Sequence, residues 1–362
     1  MSRHIVLTGG GTAGHIEPML ATAAALQQAE PGIGITCIGS EGGLETTLVP
    51  ERGFTLRTVA AVPLPRKPSA DLLRLPFRLR TAVRQAKAIL RETDAVAVVG
   101  FGGYASLPSY LAARSRKVPV VVHEANATAG IANKIGARWA AFVGTAAKTN
   151  GLADATIVGM PIRAALQRLD RSALRAEGLQ HFGLREGYPT LLVYGGSQGA
   201  RTLNNALTAA ADRLHQAGVQ VLHSYGRKNT IEAIVHTDGP AYVALPYIDR
   251  MDLAYSVADL VLCRAGMGTV AEVSAVGLPA VYVPLPHGNG EQRLNAEPVV
   301  QAGGGLLVDD AQLTGDYVAE RLIPLLQDRA RLDQMAGAAR SAGHAQAADV
   351  LAAKVLEVAR HD

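Results

Sequence analysis

Aromatic side chains are scarce in this sequence. Its 362 residues include one Trp, five Phe and ten Tyr, and the formal net charge is only +4. Proteins that bind nucleic acid usually combine a broad basic surface with aromatic rings on which bases stack. We therefore expect no nucleic-acid partner.

Cysteine is also rare. Cys37 and Cys263 lie far apart in apolar stretches, which argues against a disulfide and fits a reducing cytoplasm. Two cysteines with scattered histidines give no spacing of metal ligands, and the acidic residues include no D-x-D. We expect neither a metal nor another cofactor.

Long hydrophobic runs are missing as well. No apolar run approaches the roughly 18–20 residues that cross a bilayer, although 48% of the residues are hydrophobic and 18% are charged. Such a composition is typical of an α/β protein whose parallel strands are buried on both faces. A chain of this length usually forms two domains.

Short apolar runs that end in glycine or polar residues occur in two series, which predict two doubly wound parallel sheets. The first series comprises 4–9, 34–40, 95–103, 118–126 and about 140–143, and the second comprises 189–194, 219–226, 241–249, 258–266 and 279–286. Helical patterns fall at 18–28, 44–52 and 203–217, and a linker is expected near 159–175. We expect an N-terminal domain over 1–161, a C-terminal domain over 162–340, and a last helix in 341–362 that crosses back to the first domain.

The first glycine loop, GGGTAGH at 9–15, follows a strand and opens a helix. Gly9, Gly11 and Gly14 match the G-x-G-x-x-G dinucleotide fingerprint, and Glu41 can supply its ribose carboxylate, so an oxidoreductase stays open here. His15 favours a different reading, because a histidine near the positive end of a helix dipole tends to be neutral and can act as a base. The alternative is a capping or core histidine.

Two more strand ends in the first half carry polar residues. GFGGYAS at 100–106 is a second glycine loop, whose Tyr104 can offer a hydroxyl to a ligand. HEAN at 123–126 follows the next strand. Its Glu124 is either a catalytic carboxylate or a structural acceptor for neighbouring N–H groups.

The second half repeats this arrangement. GGSQGAR at 195–201 is a phosphate-type loop with Ser197, and it lacks the Lys-Ser/Thr ending that indicates ATP hydrolysis. In RAGMGTVAE at 264–272, Glu272 suits the two hydroxyls of a ribose; the alternative is a capping box with Thr269. Gln292 and Asn295 are amides of the kind that bind sugar hydroxyls.

Basic residues concentrate in one stretch. From Arg66 to Arg91 eight basic residues stand against one acidic residue, a net charge of +7. Pro76 suits the first position of a helix, and we expect residues 79–91 to pack an apolar stripe on the sheet. The preceding surface interleaves apolar and basic residues, which favours an anionic membrane surface. The membrane patch comprises Leu72, Leu73, Arg74, Leu75, Phe77, Arg78, Leu79 and Arg80.

Taken together, the motifs resemble the MurG family of bacterial peptidoglycan N-acetylglucosaminyltransferases. The resemblance rests on GGGTAGHIEP, GFGGYASLP, HEAN, GMPIR, GGSQGAR, YIDRMDLAYSVADLVLCRAG, TVAEVSAVGLPAVYVPLPH and NAEP, in this order between residues 9 and 298. It implies a GT-B fold, with two Rossmann-like parallel-sheet domains facing a central cleft.

The resemblance also implies the reaction. An inverting, metal-independent transferase would move GlcNAc from UDP-GlcNAc to the 4-hydroxyl of MurNAc in undecaprenyl-pyrophosphoryl-MurNAc-pentapeptide (lipid I), giving lipid II. It implies a peripheral position on the cytoplasmic face of the cell membrane and protein partners in cell-wall synthesis. The alternatives are a GT-B transferase with another lipid acceptor and a UDP-GlcNAc epimerase.

The family's functional residues fall into three groups. The candidates for the base are His15 and Glu124. The acceptor pyrophosphate would lie at Gly9, Gly10, Gly11, Gly102, Gly103 and Tyr104. The donor would lie at Thr12, Ala13, Gly14, Asn126, Arg163, Ser197, Ile248, Met267, Gly268, Thr269, Val270, Glu272 and Gln292.

Overall fold

The computed structural model describes residues 3–62, 71–196, 198–232, 234, 236, 238–287 and 290–360, with the backbone alone for 71–74. Contacts divide the chain into two compact units. Unit 1 contains the residues up to Ala164 together with those from Gln346 onward, and unit 2 is Ala165–Ala345.

Unit 1 contains a seven-stranded parallel sheet in the order β3-β2-β1-β4-β5-β6-β7. Its strands are β1 (His4–Thr8), β2 (Gly34–Ser40), β3 (Thr55–Val59), β4 (Ala95–Gly100), β5 (Val120–Glu124), β6 (Phe142–Thr145) and β7 (Thr156–Ile157). In this register Leu7 lies between Cys37 of β2 and Val99 of β4.

Unit 2 contains a six-stranded parallel sheet in the order β10-β9-β8-β11-β12-β13. Its strands are β8 (Thr190–Tyr194), β9 (Gln220–Ser224), β10 (Tyr242–Leu245), β11 (Leu260–Cys263), β12 (Ala280–Tyr282) and β13 (Gly305–Leu307). The two sheets share one strand order apart from the additional β7, and the predicted α/β class with two Rossmann-like parallel sheets is confirmed.

Helices connect the strands. They are α1 (Ala13–Ala29), α2 (Glu45–Glu51), α3 (Asp71–Glu92), α4 (Ser106–Ser115), α5 (Ile131–Gly136), α6 (Ala164–Gln167), α7 (Arg171–Phe182), α8 (Arg201–Gln216), α9 (Met251–Val257), α10 (Met267–Ala275), α11 (Glu291–Gln301), α12 (Gly315–Tyr317), α13 (Ile323–Gln327), α14 (Arg329–Ala342) and α15 (Ala347–Val358). A 3₁₀ turn covers Asp310–Gln312, and a π-helical segment covers Val318–Leu322.

Both faces of the unit 1 sheet are buried, because successive strand residues point to opposite faces and helices cover each one. Ile5 and Leu7 of β1 join a cluster with side chains of α1 and α15, whereas Val6 joins a second cluster with α3 and α4. The last helix, α15, therefore packs on α1 within unit 1. Unit 2 has its own cluster around β8, β11 and α8.

Two helices begin earlier than the sequence predicts, since the sequence favours a proline as the first helical residue of each. α1 begins at Ala13 and includes Pro18, and α3 begins at Asp71 and includes Pro76. A proline inside a helix leaves the carbonyl four residues earlier without its helical partner. For Pro18 that carbonyl belongs to Gly14, which is exposed and can be hydrated.

The predicted linker also extends too far along the chain. Residues 171–175 begin α7, whose N-cap Asp170 accepts hydrogen bonds from Ser172 N–H and Ala173 N–H. Arg171 and Arg175 then donate to backbone carbonyls at the end of α9 and just beyond it. These arginines are therefore part of the packing of unit 2.

Candidate active site

In each sheet the chain runs outward from one central strand and then returns to the other side of it. β1 and β4 are the neighbours at this reversal in unit 1, and β8 and β11 are the neighbours in unit 2. Ligands of open α/β sheets bind at the carboxyl ends of such strands. All four strands at these reversals are followed by glycine loops.

The two glycine loops of unit 1 contact each other backbone to backbone. Gly103 has φ +85°, and a Cβ there would overlap the Gly10 carbonyl oxygen. Gly102 has φ +91°, and a Cβ there would lie 3.2 Å from Nε2 of His15. Only glycine allows both the left-handed backbone and this close approach. Tyr104, at the end of the second loop, is 47% exposed.

His15 is held in one orientation. It lies in the first turn of α1, half-buried, with Nδ1 3.1 Å from the Gly10 carbonyl oxygen and 3.2 Å from Thr12 Oγ1. A carbonyl oxygen only accepts hydrogen bonds, so Nδ1 carries a hydrogen, and in the neutral form of imidazole the lone pair then lies on Nε2. The imidazole therefore presents a proton acceptor on its Gly102 side.

Glu45 is a residue of this site that the sequence analysis missed. Its buried carboxylate accepts from Gly11 N–H at 3.1 Å, Ser40 N–H at 2.8 Å and Ser40 Oγ–H at 2.7 Å. Burial raises the pKa of this carboxyl, but these hydrogen bonds outweigh burial, and the pKa lies below its ordinary value. The Gly11 amide thus points at a carboxylate of the protein, whereas Glu41, the residue considered for a ribose, is exposed.

Glu124 is saturated by hydrogen bonds. It is 1% exposed; Oε1 accepts from the backbone and side-chain amides of Asn126, and Oε2 accepts from Gly130 N–H and Asn133 Nδ2. Tyr110 in turn donates to Asn133 Oδ1 at 2.7 Å. With four donors around one carboxylate, the geometry favours the structural acceptor over the catalytic carboxylate.

His123, beside Glu124 on β5, is fully buried. Its Nε2 donates to the Gly159 carbonyl at 2.9 Å, and its Nδ1 has no hydrogen-bond partner among the described residues. Burial lowers the pKa of the ring, against the opposing effects of the Gly159 carbonyl and Glu124. This histidine is therefore neutral in the folded protein.

In unit 2, Glu272 lies in the second turn of α10, half-buried. The helix begins at Met267 with Gly266 as its N-cap, and no side chain caps it. The capping-box alternative with Thr269 is therefore wrong, because Thr269 is already the third helical residue. The Glu272 carboxylate instead accepts a hydrogen bond from the hydroxyl of Tyr255 at 2.9 Å.

The loop after β8 is held by the loop after β9. Gly199 has φ +72°, and a Cβ there would overlap the carbonyl oxygen of Tyr225. The side-chain amide of Asn229 donates to the carbonyls of Gln198, at 2.7 Å, and Tyr225, at 3.0 Å. Ser197 lies outside the described residues.

The other predicted donor residues occupy varied positions. Ile248 is 3% exposed just beyond β10, and Arg163 is half-buried after β7. Gln292, in the first turn of α11, accepts from Leu285 N–H at 2.9 Å, which fixes its carboxamide. Asn295 is buried and donates to the Ala265 carbonyl, so it belongs to the packing of the loop after β11.

The membrane patch lies on the first half of α3. Phe77 is 75% exposed, Arg78 and Arg80 are exposed, and Leu75 and Leu79 are half-buried. The side chains of Leu72, Leu73 and Arg74 lie outside the described residues. Among the helices that the structure describes, none is both long and apolar enough to cross a bilayer. In the described ranges, no three His, Cys, Asp or Glu side chains form a group that can hold a metal ion.

Two parallel sheets of this order, each with paired glycine loops, have the GT-B fold. Matches to two family models define the class of protein as a glycosyltransferase. The glycosyltransferase family 28 N-terminal domain matches residues 5–145, and the family 28 C-terminal domain matches residues 190–351. The chain belongs to glycosyltransferase family 28.

Two relatives of high sequence identity carry the same enzyme name. The UDP-N-acetylglucosamine–N-acetylmuramyl-(pentapeptide) pyrophosphoryl-undecaprenol N-acetylglucosamine transferase of Rhodococcus opacus is 58% identical over 98% of this chain and 96% of its own length. The protein of that name from Mycobacterium sp. strain KMS is 57% identical with the same coverage. The crystal structure of Acinetobacter baumannii MurG matches with a TM-score of 0.75 and 28% identity, over 98% of this chain and 99% of that chain.

Proposed function

We propose that this chain transfers N-acetylglucosamine from UDP-GlcNAc to the 4-hydroxyl of the muramoyl sugar in undecaprenyl-pyrophosphoryl-MurNAc-pentapeptide, releasing UDP and lipid II. The observation that carries the proposal is 58% identity, over nearly the whole chain, to a relative named for this reaction. The paired glycine loops support it, because backbone amides at helix N-termini suit diphosphates, and both substrates contain one.

Unit 1 holds the acceptor. The loops at Gly9–Gly11 and Gly102–Tyr104 bind its pyrophosphate. We assign Thr12, Ala13 and Gly14 to the donor. His15 takes the proton of the 4-hydroxyl on Nε2, a role supported by the bond that fixes hydrogen on Nδ1. Glu124 orients Asn126 rather than acting as the base, as its four hydrogen bonds support.

Unit 2 holds the donor. Glu272 accepts the ribose hydroxyls, and the backbone at Ile248 binds the uracil. The N-terminus of α8 binds the diphosphate. We also assign to the diphosphate Ser197, which lies outside the described residues, and Arg163, which belongs to unit 1. The first turn of α10, Met267–Val270, and Gln292 bind the GlcNAc. We also assign Asn126 of unit 1 to the donor.

The reaction is a single displacement with inversion. The acceptor oxygen forms a bond to the anomeric carbon, the bond from that carbon to the β-phosphate oxygen breaks, and His15 receives the hydroxyl proton. The charge that develops on UDP is stabilised by donors already oriented in the folded loops, which lowers the barrier without reorganisation.

The experiment is an acceptor panel with purified protein. UDP release from UDP-GlcNAc is measured with a soluble lipid I analogue, with other polyprenyl-pyrophosphate sugars and without acceptor. We expect release that depends on the lipid I analogue. Release only with another lipid would favour the alternative transferase, and an epimerised sugar nucleotide without any acceptor would favour the epimerase.

The surface formed by Phe77, Arg78 and Arg80 binds the anionic cytoplasmic leaflet, which brings the enzyme to its lipid acceptor. The exposed Phe77, adjacent to Arg78 in the sequence, supports this position. Co-sedimentation with phosphatidylglycerol vesicles should be lost in Phe77→Ser/Arg80→Glu. Val350→Ser removes another exposed apolar side chain of unit 1 and should bind normally. Equal binding of all three proteins would contradict this attachment site.

A further inference from the structure

A chain of three hydrogen-bonded side chains runs through unit 2 and ends at Glu272. The hydroxyls of Tyr194, the last residue of β8, and Tyr255, on α9, are 2.9 Å apart, and the Tyr255 hydroxyl donates to Glu272 Oε2 at 2.9 Å. Tyr255 is 0% exposed and Tyr194 is 9% exposed, whereas Glu272 on α10 is half-buried. The chain thus connects the interior of the unit to its surface.

The direction of this chain is fixed. A tyrosine hydroxyl has one hydrogen, and that of Tyr255 goes to the carboxylate, so Tyr255 accepts from Tyr194. Burial raises the pKa of both tyrosines well above the ordinary value, so both stay protonated. Tyr255 is therefore a constant donor to Glu272.

A donor of this kind restricts the carboxylate. A glutamate side chain on a helix surface has several rotamers, and it must be restricted to one of them when it binds a ligand, which costs entropy. The Tyr255 hydroxyl is fixed by its buried ring and by Tyr194, and it holds Oε2 of Glu272 in the second turn of α10. The second carboxylate oxygen of Glu272 is then presented to a ligand in a defined orientation.

We propose that Tyr255 is a positioning residue that orients Glu272 to accept the 2′- and 3′-hydroxyls of the donor ribose, and so makes unit 2 selective for ribonucleotides over 2′-deoxyribonucleotides. This inference rests on the proposed function, since it takes Glu272 as the ribose ligand. A vicinal diol binds well only to a carboxylate whose two oxygens are correctly placed. A mobile glutamate would bind the diol less tightly and would distinguish it less sharply from a single hydroxyl.

The test replaces one hydroxyl at a time. Tyr255→Phe keeps the ring and removes the donor to Glu272, and Tyr194→Phe breaks the chain one step farther back. Tyr282→Phe is the matched control, because the Tyr282 hydroxyl is buried in the same unit without a hydrogen-bond partner among the described residues. Each protein is assayed with UDP-GlcNAc and with 2′-deoxy-UDP-GlcNAc, and its affinities for UDP and 2′-deoxy-UDP are measured by calorimetry.

For Tyr255→Phe we expect KM for UDP-GlcNAc to rise about tenfold, as for loss of one hydrogen bond to a charged group. The preference for UDP over 2′-deoxy-UDP should fall by a similar factor, while kcat and the KM for the lipid acceptor stay within about twofold. Tyr194→Phe should show a smaller change in the same direction, and Tyr282→Phe none. If Tyr255→Phe is too unstable to assay, Tyr194→Phe alone must reduce the ribose preference.

Two outcomes would overturn the inference: an unchanged ribose preference in both chain variants, or an equal loss of preference in Tyr282→Phe. Failure of the proposed function looks different. There the wild-type protein would release no UDP from UDP-GlcNAc with the lipid I analogue, whatever the variants do.

Discussion

The carboxylates beside the glycine loops differ between unit 1 and unit 2, although the strand order around them is the same. Glu45 and Glu124 of unit 1 are buried, and several N–H or O–H groups of the protein surround each of them. Glu272 of unit 2 is half-buried, and the Tyr255 hydroxyl donates a hydrogen bond to its carboxylate. Buried carboxylates saturated by the protein shape a loop, whereas a half-buried one on a helix can also receive a ligand.

The glycine loops of the two units also differ in the side chain that holds them. In unit 1 the loop after β1 is held from beneath by the charge of Glu45, and it places the imidazole of His15 at its edge. In unit 2 the loop after β8 is held by the neutral amide of Asn229. We therefore propose that unit 1 supplies the base, His15, and that unit 2 supplies fixed donors and a ribose acceptor.

The largest expected effect comes from removing the proposed base. His15→Ala should lower kcat about a thousandfold, because general-base catalysis by a placed histidine contributes on this scale. UDP affinity, measured by calorimetry, should stay within about twofold, because the nucleotide is assigned to unit 2. UDP release with the lipid I analogue gives kcat.

The variant Glu124→Gln tests whether Glu124 is a catalytic base or a structural carboxylate. Its new NH₂ group would face N–H donors in a buried position, so we expect it to lower the free energy of unfolding of unit 1 by about 2 kcal/mol or more. Urea unfolding measures this, with His15→Ala as the stable comparison. A Glu124→Gln protein of wild-type stability that has lost turnover, beside an active His15→Ala, would reverse the two roles.

The sequence predicts most of the sheet because a parallel strand buried on both faces is a continuous apolar run. β2 matches its prediction at both ends. β3, with the sequence TLRTV, was missed because three of its five residues are exposed at the sheet edge. β7 and β13 have two and three residues, too few for a periodic pattern.

The site is less predictable from sequence, because its key contacts join residues that are distant along the chain. Glycine spacing identifies the loops and leads to His15, whose bond to the Gly10 carbonyl spans only five residues. Nothing in the sequence distinguishes Glu45 from Glu41, since only the fold brings Glu45 to an amide 34 residues away. Likewise Tyr255 lies in an ordinary apolar pattern, and its bond to Glu272 appears only when α9 and α10 are placed.

A second prediction compares the glycine loops of the two units directly, and its expected effect on the reaction is somewhat smaller than that of His15→Ala. Gly103→Ala forces the second loop of unit 1 away from Gly10, and Gly199→Ala forces the loop after β8 away from Tyr225. Displacement of a substrate-binding loop by about 1 Å can cost up to about a hundredfold in rate. Gly103→Ala should raise KM for the lipid acceptor, and Gly199→Ala should raise KM for UDP-GlcNAc.

Matched controls separate the overlap from backbone strain. Gly42 and Gly187 also have positive φ, at +75° and +87°, but a Cβ at either would meet nothing within 4 Å. Gly42→Ala and Gly187→Ala therefore carry the strain without the collision, and both KM values should stay near wild type. If Gly103→Ala instead raised KM for UDP-GlcNAc alone, the assignment of acceptor and donor to the two units would be wrong.

The smallest expected effect concerns a buried histidine in each sheet and its response to acid. His223 of β9 lies between Tyr242 and Asn204, and burial lowers its pKa to about 4. In the unfolded chain the ring of His223 binds a proton near pH 6.5, whereas in the folded protein it stays unprotonated until about pH 4. The free energy of unfolding therefore decreases as pH falls from 6.5 toward 4. Between pH 7 and pH 5.5 this amounts to about 1 kcal/mol.

His123 of β5 is the counterpart in unit 1. Burial lowers its pKa as well, against the opposing effects of the Gly159 carbonyl and Glu124, so protonation of the unfolded chain also costs stability here as pH falls. Urea unfolding at pH 7 and pH 5.5 should therefore show that His223→Gln and His123→Gln each remove part of the acid sensitivity. Equal slopes in wild type and His223→Gln would mean that the His223 ring accepts a proton inside the folded sheet, and that burial in unit 2 does not keep it neutral.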